Sequence, residues 1–286
     1  MILRLTMHGK MIVRGIPVGC VSKRATTAFM TRISAPKRPS WTRWETRAAW
    51  IAALCCTLGG VTAGAFTPAD ADAIFEAHTK AFYRVENGMG WHTKNTDGGK
   101  ADFWMQAEML EMVLDVHART RSKKQLEMFD ELFHGFIATH GRNWAGNEFN
   151  DDIMWMVIAC TRAHLVTGNT EYRAVAKENF DLCYQRAISP DLGGGLWWKT
   201  DNKSKNACVN GPGSIAAFLL GLATGDRSYT SKARSLFLWE RATLFDPKTG
   251  RVSDAINRDK RVNQMALTDP DGSTQPPGGE SRGRLG

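Results

Sequence analysis

Acidic residues are almost missing from the first 65 positions of this chain. Glu45 is the one acid there, against ten Lys and Arg, a net of +9. The other 221 residues hold 27 bases and 28 acids, a net of −1. The overall excess of +8 therefore belongs to the leader, and the folded part shows no basic footprint for nucleic acid. Cysteine is also scarce. Six are present, and only Cys160, Cys183 and Cys208 follow residue 65. Three thiols allow at most one internal disulfide, so a disulfide-stapled scaffold is excluded. Cys160 and Cys183 fall among apolar helical neighbours and read as buried free thiols. No β-alternation longer than a few residues occurs, nor a βαβ rhythm or a solenoid repeat. The seven histidines show no paired metal spacing. His134 and His140 read as surface and loop residues, and no metal or cofactor is expected.

What is present begins with an export pattern. Lys37, Arg38, Arg43 and Arg47 precede an apolar run from Ala48 to about Val61, which ends in Ala63-Gly64-Ala65. At about 14 residues the run is short for a spanning helix, which needs roughly 20. Residues 1–65 are therefore expected to be a basic leader and signal peptide. Cleavage after Ala65 would give a secreted or periplasmic protein with no stable membrane span. Beyond it, apolar spacing of three and four predicts seven helices: 68–85, 102–119, 122–139, 151–166, 171–187, 213–225 and 229–243. The reading is all-α, with stacked helical hairpins over residues 66–268. Connections at 87–100, 140–150 and 187–212 are long and rich in Gly, Asn and Trp, where function tends to sit. From Asp269 to Gly286, eight of 18 residues are Gly or Pro, and a disordered tail is expected.

Two stretches carry chemistry. In Glu148-Phe149-Asn150-Asp151-Asp152, polar residues lead directly into an apolar helix. Helix capping is the bland explanation, with Asn150 or Asp151 accepting backbone N–H bonds. Capping needs one such residue, however, and two adjacent carboxylates repel, so one pKa should rise. One ionised and one protonated carboxyl is the equipment of a retaining glycosidase. The second stretch is Asp191-Leu192-Gly193-Gly194-Gly195-Leu196-Trp197-Trp198-Lys199, followed by Lys205-Asn206-Ala207-Cys208-Val209-Asn210-Gly211. Tandem indoles can stack on sugar rings, with Asn and Lys hydrogen-bonding hydroxyls. The competing explanation puts one Trp in the core and the other as a loop plug.

Taken together, Asn150-Asp151-Asp152, Gly193-Gly194-x-x-Trp197-Trp198 and Lys205-Asn206-Ala207-x-x-Asn210-Gly211 resemble glycoside hydrolase family 76. The resemblance runs from about Ala71 to Asp254 and includes Phe103-Trp104 with Glu108. It implies an (α/α)6 barrel of the six-hairpin type and endo-cleavage of α-1,6-mannan with retention. It also implies Asp151 as nucleophile and Asp152 as general acid/base. Trp104, Trp198 and Asn210 are the expected substrate-binding residues. The expected partner is α-mannan or a manno-oligosaccharide, and a monomer is expected. Such a barrel has twelve helices, and about seven are countable here, so it is expected to be incomplete, with exposed core faces, low solubility and weak or no turnover. A non-catalytic or vestigial glycan binder, and a transglycosidase acting on cell-wall mannosides, stand as alternatives.

Overall fold

The computed structural model describes residues 66–263. The leader, its cleavage site and the Gly/Pro-rich tail lie outside them. Seven helices are described: α1 (Pro68–Phe82), α2 (Phe103–Thr120), α3 (Lys124–His140), α4 (Asn150–Thr167), α5 (Thr170–Ala187), α6 (Ala207–Thr224) and α7 (Arg227–Thr243). Between and after them come five short strands: β1 (Tyr83–Glu86), β2 (Met89–His92), β3 (Ser204–Asn206), β4 (Ala255–Asn257) and β5 (Val262–Asn263). Helices α2, α4 and α6 lie side by side, and α3, α5 and α7 pack outside them as the return legs of three hairpins. This is the alternating inner and outer arrangement of an (α/α) barrel, as expected.

The sequence explains which helices go inside. Helix α4 buries residues around most of its circumference, among them Ile153, Met154, Met156, Val157 and Cys160. Between Asp152 and Arg162 it carries no charge, which suits an inner helix. Outer α3 is one-sided, with Phe129, Leu132, Phe133 and Phe136 inward. The three phenylalanine rings reach Phe103, Tyr172 and Trp144 in edge-on contacts, with centroids 4.7–5.6 Å apart. Cys160 and Cys183 are free and buried, as expected. Helix α6 is long and apolar enough to cross a membrane by length and composition. It packs between α4 and α7. Its Ile215, Phe218 and Leu222 remain exposed, as do Phe237 and Leu238 of α7.

Two expectations need correction. Helix α1 does not run to Val85. It starts at a Thr67 cap, closed by a reciprocal capping box with Asp70, and stops at Phe82. Tyr83-Arg84-Val85-Glu86 instead pairs antiparallel with Met89–His92. Asn87 and Gly88 have φ of 50° and 74°, the left-handed pair that a tight hairpin turn requires. An Asn-Gly between β-forming residues overrode the helical spacing. Helix α6, conversely, begins six residues earlier than expected. Pro212 lies inside it rather than before it. The helix continues past it although the missing N–H removes one bond to the carbonyl four residues back.

Candidate active site

The N-termini of α2, α4 and α6 converge on one cavity of about 500 Å³. Asp151 and Asp152 line it from the first turn of α4, and Asp102 from just before α2. Trp104, Phe149, Trp155, Trp198 and Cys208 complete the wall. Several polar acceptors thus meet several flat apolar faces in one hollow of sugar size, a combination suited to a carbohydrate.

The residues preceding α4 are held from outside. Arg186 on α5 donates to Asn150 Oδ1 (2.7 Å), Ala145 O (2.8 Å) and Asn147 O (2.6 Å). Asn150 in turn donates through Nδ2 to Trp197 O and through its backbone N–H to Trp198 O. Asn150 therefore ties the start of α4 to the tryptophan loop. It is no helix cap: the cap residue is Phe149, with no side-chain capping bond. Asp151 and Asp152 both lie in the first turn of α4, where the positive helix end favours their charge.

The glycine-rich stretch is built around a buried amine. Lys205 is fully buried, and its Nζ donates to the carbonyls of Ser189, Asp191, Gly194 and Gly195 at 2.6–3.1 Å. The Trp197 ring lies 4.6 Å from the same nitrogen. Gly195 has φ of 77°, and a Cβ there would stand 2.5 Å from the Trp239 ring. The tandem tryptophans divide as the competing explanation had it only in half: Trp197 is core, while Trp198 faces the cavity.

Asp152 has its pKa raised to about 6. Burial is the main cause; the Asn147 amide, donating at 3.0 Å, works against it, and the charges of Asp151 and Asp102 add to the rise. Asp151 is also raised by burial, while the Cys208 thiol and Trp198 indole beside it favour its charged form. Oδ1 of Asp151 and Nε1 of Trp198 are both buried, near each other but without a well-formed hydrogen bond. Two such atoms lining one cavity are what a ligand hydroxyl could satisfy.

Of the five expected site residues, Asp151, Asp152, Trp104 and Trp198 come together here. Asn210 does not. It is fully buried in α6, and its amide is used up by Leu196 N, Leu196 O and Asn206 O. It braces the tryptophan loop, as Lys205 does, and neither meets hydroxyls in the cavity. Sequence reasoning missed Trp155, one helical turn beyond Asp151 and so on the same face. It also missed Asn147 and Cys208, whose neighbourhood nothing local discloses. A second hollow of about 570 Å³, between α6 and α7, holds Glu240 but no partner carboxylate. Among the described residues no three metal-ligating side chains converge.

The family model described as glycosyl hydrolase family 76 matches residues 67–274. The α-1,6-mannanase of Salegentibacter sp. HEL1_6 is similar, at 30% identity and a TM-score of 0.61. It aligns over 68% of this chain, which spans 58% of that protein's length. A further structure of that mannanase is an inactive variant, with two consecutive aspartates changed to asparagine, bound to α-1,6-mannotriose. A family 76 mannosidase from Bacteroides thetaiotaomicron shares the fold at 20% identity and a TM-score of 0.59, over 69% of this chain and 61% of that one. A D-mannose isomerase does so at 16% and 0.57, over 73% of this chain and 60% of that one. The fold alone thus spans hydrolysis and isomerisation, and the site must carry the functional argument. None of the curated proteins matches the chain.

Proposed function

Because the chain belongs to glycosyl hydrolase family 76, we propose that it is a retaining glycoside hydrolase acting on α-1,6-linked mannan. One observation carries the reading. Two consecutive carboxyls open into a single aromatic-walled cavity, and one of them keeps its proton to about pH 6. Asp151 attacks the anomeric carbon while Asp152 gives its proton to the departing glycosidic oxygen. The carbon–oxygen bond to the leaving sugar breaks, and a mannosyl ester forms on Asp151. Asp152, now a carboxylate, takes a proton from water as that water attacks the same carbon, and the ester opens. Two inversions give net retention. Trp104 and Trp198 are the stacking faces of this scheme, and the basic leader suits export towards a polysaccharide outside the cell.

Incubating the chain with α-1,6-mannan tests this directly. Shorter α-1,6-manno-oligosaccharides support hydrolysis. Longer products would mean transfer to a sugar acceptor, and retention on a mannan column with no products would mean binding alone.

The same chemistry sets a pH dependence. Asp152 must be protonated to start the reaction, so kcat/KM is expected to fall as pH rises through about 6. Asn147 favours the carboxylate form by donating to it. Asn147→Ala removes that bias, raises the Asp152 pKa and moves the alkaline limb upward, by up to about one pH unit. An alkaline limb that stays put or moves down would detach Asp152 from the proton-donor role.

A further inference from the structure

Four buried polar atoms of α1 and β2 have no hydrogen-bond partner: Nδ1 of His78, Oγ1 of Thr79, and both ring nitrogens of His92. His92 is the sharpest case, because its side chain is almost wholly enclosed, at 1% exposure. Buried polar atoms are nearly always paired, and an orphaned one calls for a partner from outside the chain. None of these residues lines the cavity of Asp151 and Asp152.

We propose that His78 and His92 together bind a zinc-like divalent ion, which ties α1 to the β1–β2 hairpin. The ring spacing fits. A zinc-bound imidazole nitrogen lies about 2.0–2.1 Å from the ion, so two imidazoles on one tetrahedral ion have centroids roughly 5 Å apart. The His78 and His92 centroids are 5.3 Å apart, with the rings tilted by 42°. The protonation state fits as well. Burial lowers the pKa of both rings, that of His92 to about 4, where the His78 charge adds to the effect. A neutral imidazole keeps the lone pair that a metal takes. An anion would need protonated rings, which burial disfavours.

Access and consequence agree. His78 lines a hollow of about 240 Å³ with Thr93, Lys94 and Asn95, a route for an ion that keeps water in its remaining positions. Lys94 is paired there with Asp97 and Asp102, which offset its charge. Phe82 and Tyr83 flank the two imidazoles with apolar rings. Helix α1 has the weaker anchorage of the two elements, since no residue of it is buried as a whole. Strand β2 is firmly seated on α3: a Cβ on Gly135 would stand 1.9 Å from Gly90 O. An ion held by His78 from one side and His92 from the other fixes a loosely packed helix to a seated strand.

Zinc titration of the full chain, labelled with 15N-histidine, tests the site. The protein is first freed of metal with a chelator, and its accessible thiols are alkylated so that cysteine does not compete. The imidazole nitrogen signals of His78 and His92 are expected to move together on adding Zn²⁺, while those of the other histidines stay. His78→Gln and His92→Phe assign the signals. His78 is only half-buried, so His78→Gln is expected to fold, and to weaken Zn²⁺ binding by about tenfold or more. In the parent chain, Zn²⁺ is expected to slow amide exchange across residues 68–82 by about fivefold or more, and to leave it unchanged in His78→Gln. An unmoved His92, shifts confined to the other histidines, or equal affinity in His78→Gln overturns the site. Shifts at both rings with unchanged exchange in α1 overturn the tie between helix and hairpin.

Discussion

Asp151→Asn and Asp152→Asn should each lower the turnover of α-1,6-mannan by about a thousandfold or more while leaving helicity unchanged. The start of α4 is held by Asn150 and Arg186, and asparagine keeps the shape of each replaced side chain. The pair is alike in sequence but not in role, and azide separates the roles. With an aryl α-mannoside whose phenolate leaves without help, Asp152→Ala still forms the ester on Asp151. Azide then opens that ester, and the product keeps the α configuration after two inversions. In Asp151→Ala, azide must attack the substrate itself, and a single inversion gives the β-mannosyl azide. The anomer is read by proton NMR. The opposite pairing of variants and anomers exchanges the two roles, and an unaffected rate in either variant removes that residue from the chemistry.

Lys205→Met should cost about 3–5 kcal/mol of stability, and thermal unfolding should come roughly 10 °C earlier. The side chains are similar in volume, so packing alone predicts little. The cost lies in the carbonyls of Ser189, Asp191, Gly194 and Gly195, which would lose their common donor, the Gly195 one in a buried place. Lys203→Met is the control, because that side chain is 82% exposed and its ion pair with Asp201 lies in solvent. Since the caged loop carries Trp197 and Trp198, Lys205→Met should also weaken mannotriose binding before the helices unfold. A calorimetric midpoint within 2 °C of the parent chain would mean that the loop holds its shape without the amine.

The helical class and the order of hairpins were legible because apolar spacing along one element depends on that element alone. Phe129, Leu132, Phe133 and Phe136 announce an inward face whatever they pack against. The Asp151-Asp152 pair was visible because two acids at one helix start are more than a cap requires. Where reading failed, a second segment was responsible. Val85 continues a helical pattern, yet the Asn87-Gly88 turn offers its backbone a partner strand. Asn210 and Lys205 have the right chemistry for binding hydroxyls. Their amide and ammonium are instead claimed by carbonyls 4–16 residues earlier in the chain.

The family, the helical class and the two neighbouring acids could be read from the chain alone, since each is written in short motifs or in the spacing within single segments. Which face of each polar side chain meets the cavity was decided only by tertiary structure. So were the split of the tandem tryptophans between core and pocket, and the burial that raises the pKa of both Asp151 and Asp152. The reason is physical. Spacing is a property of one segment, whereas burial and hydrogen-bond supply depend on what other segments bring alongside it.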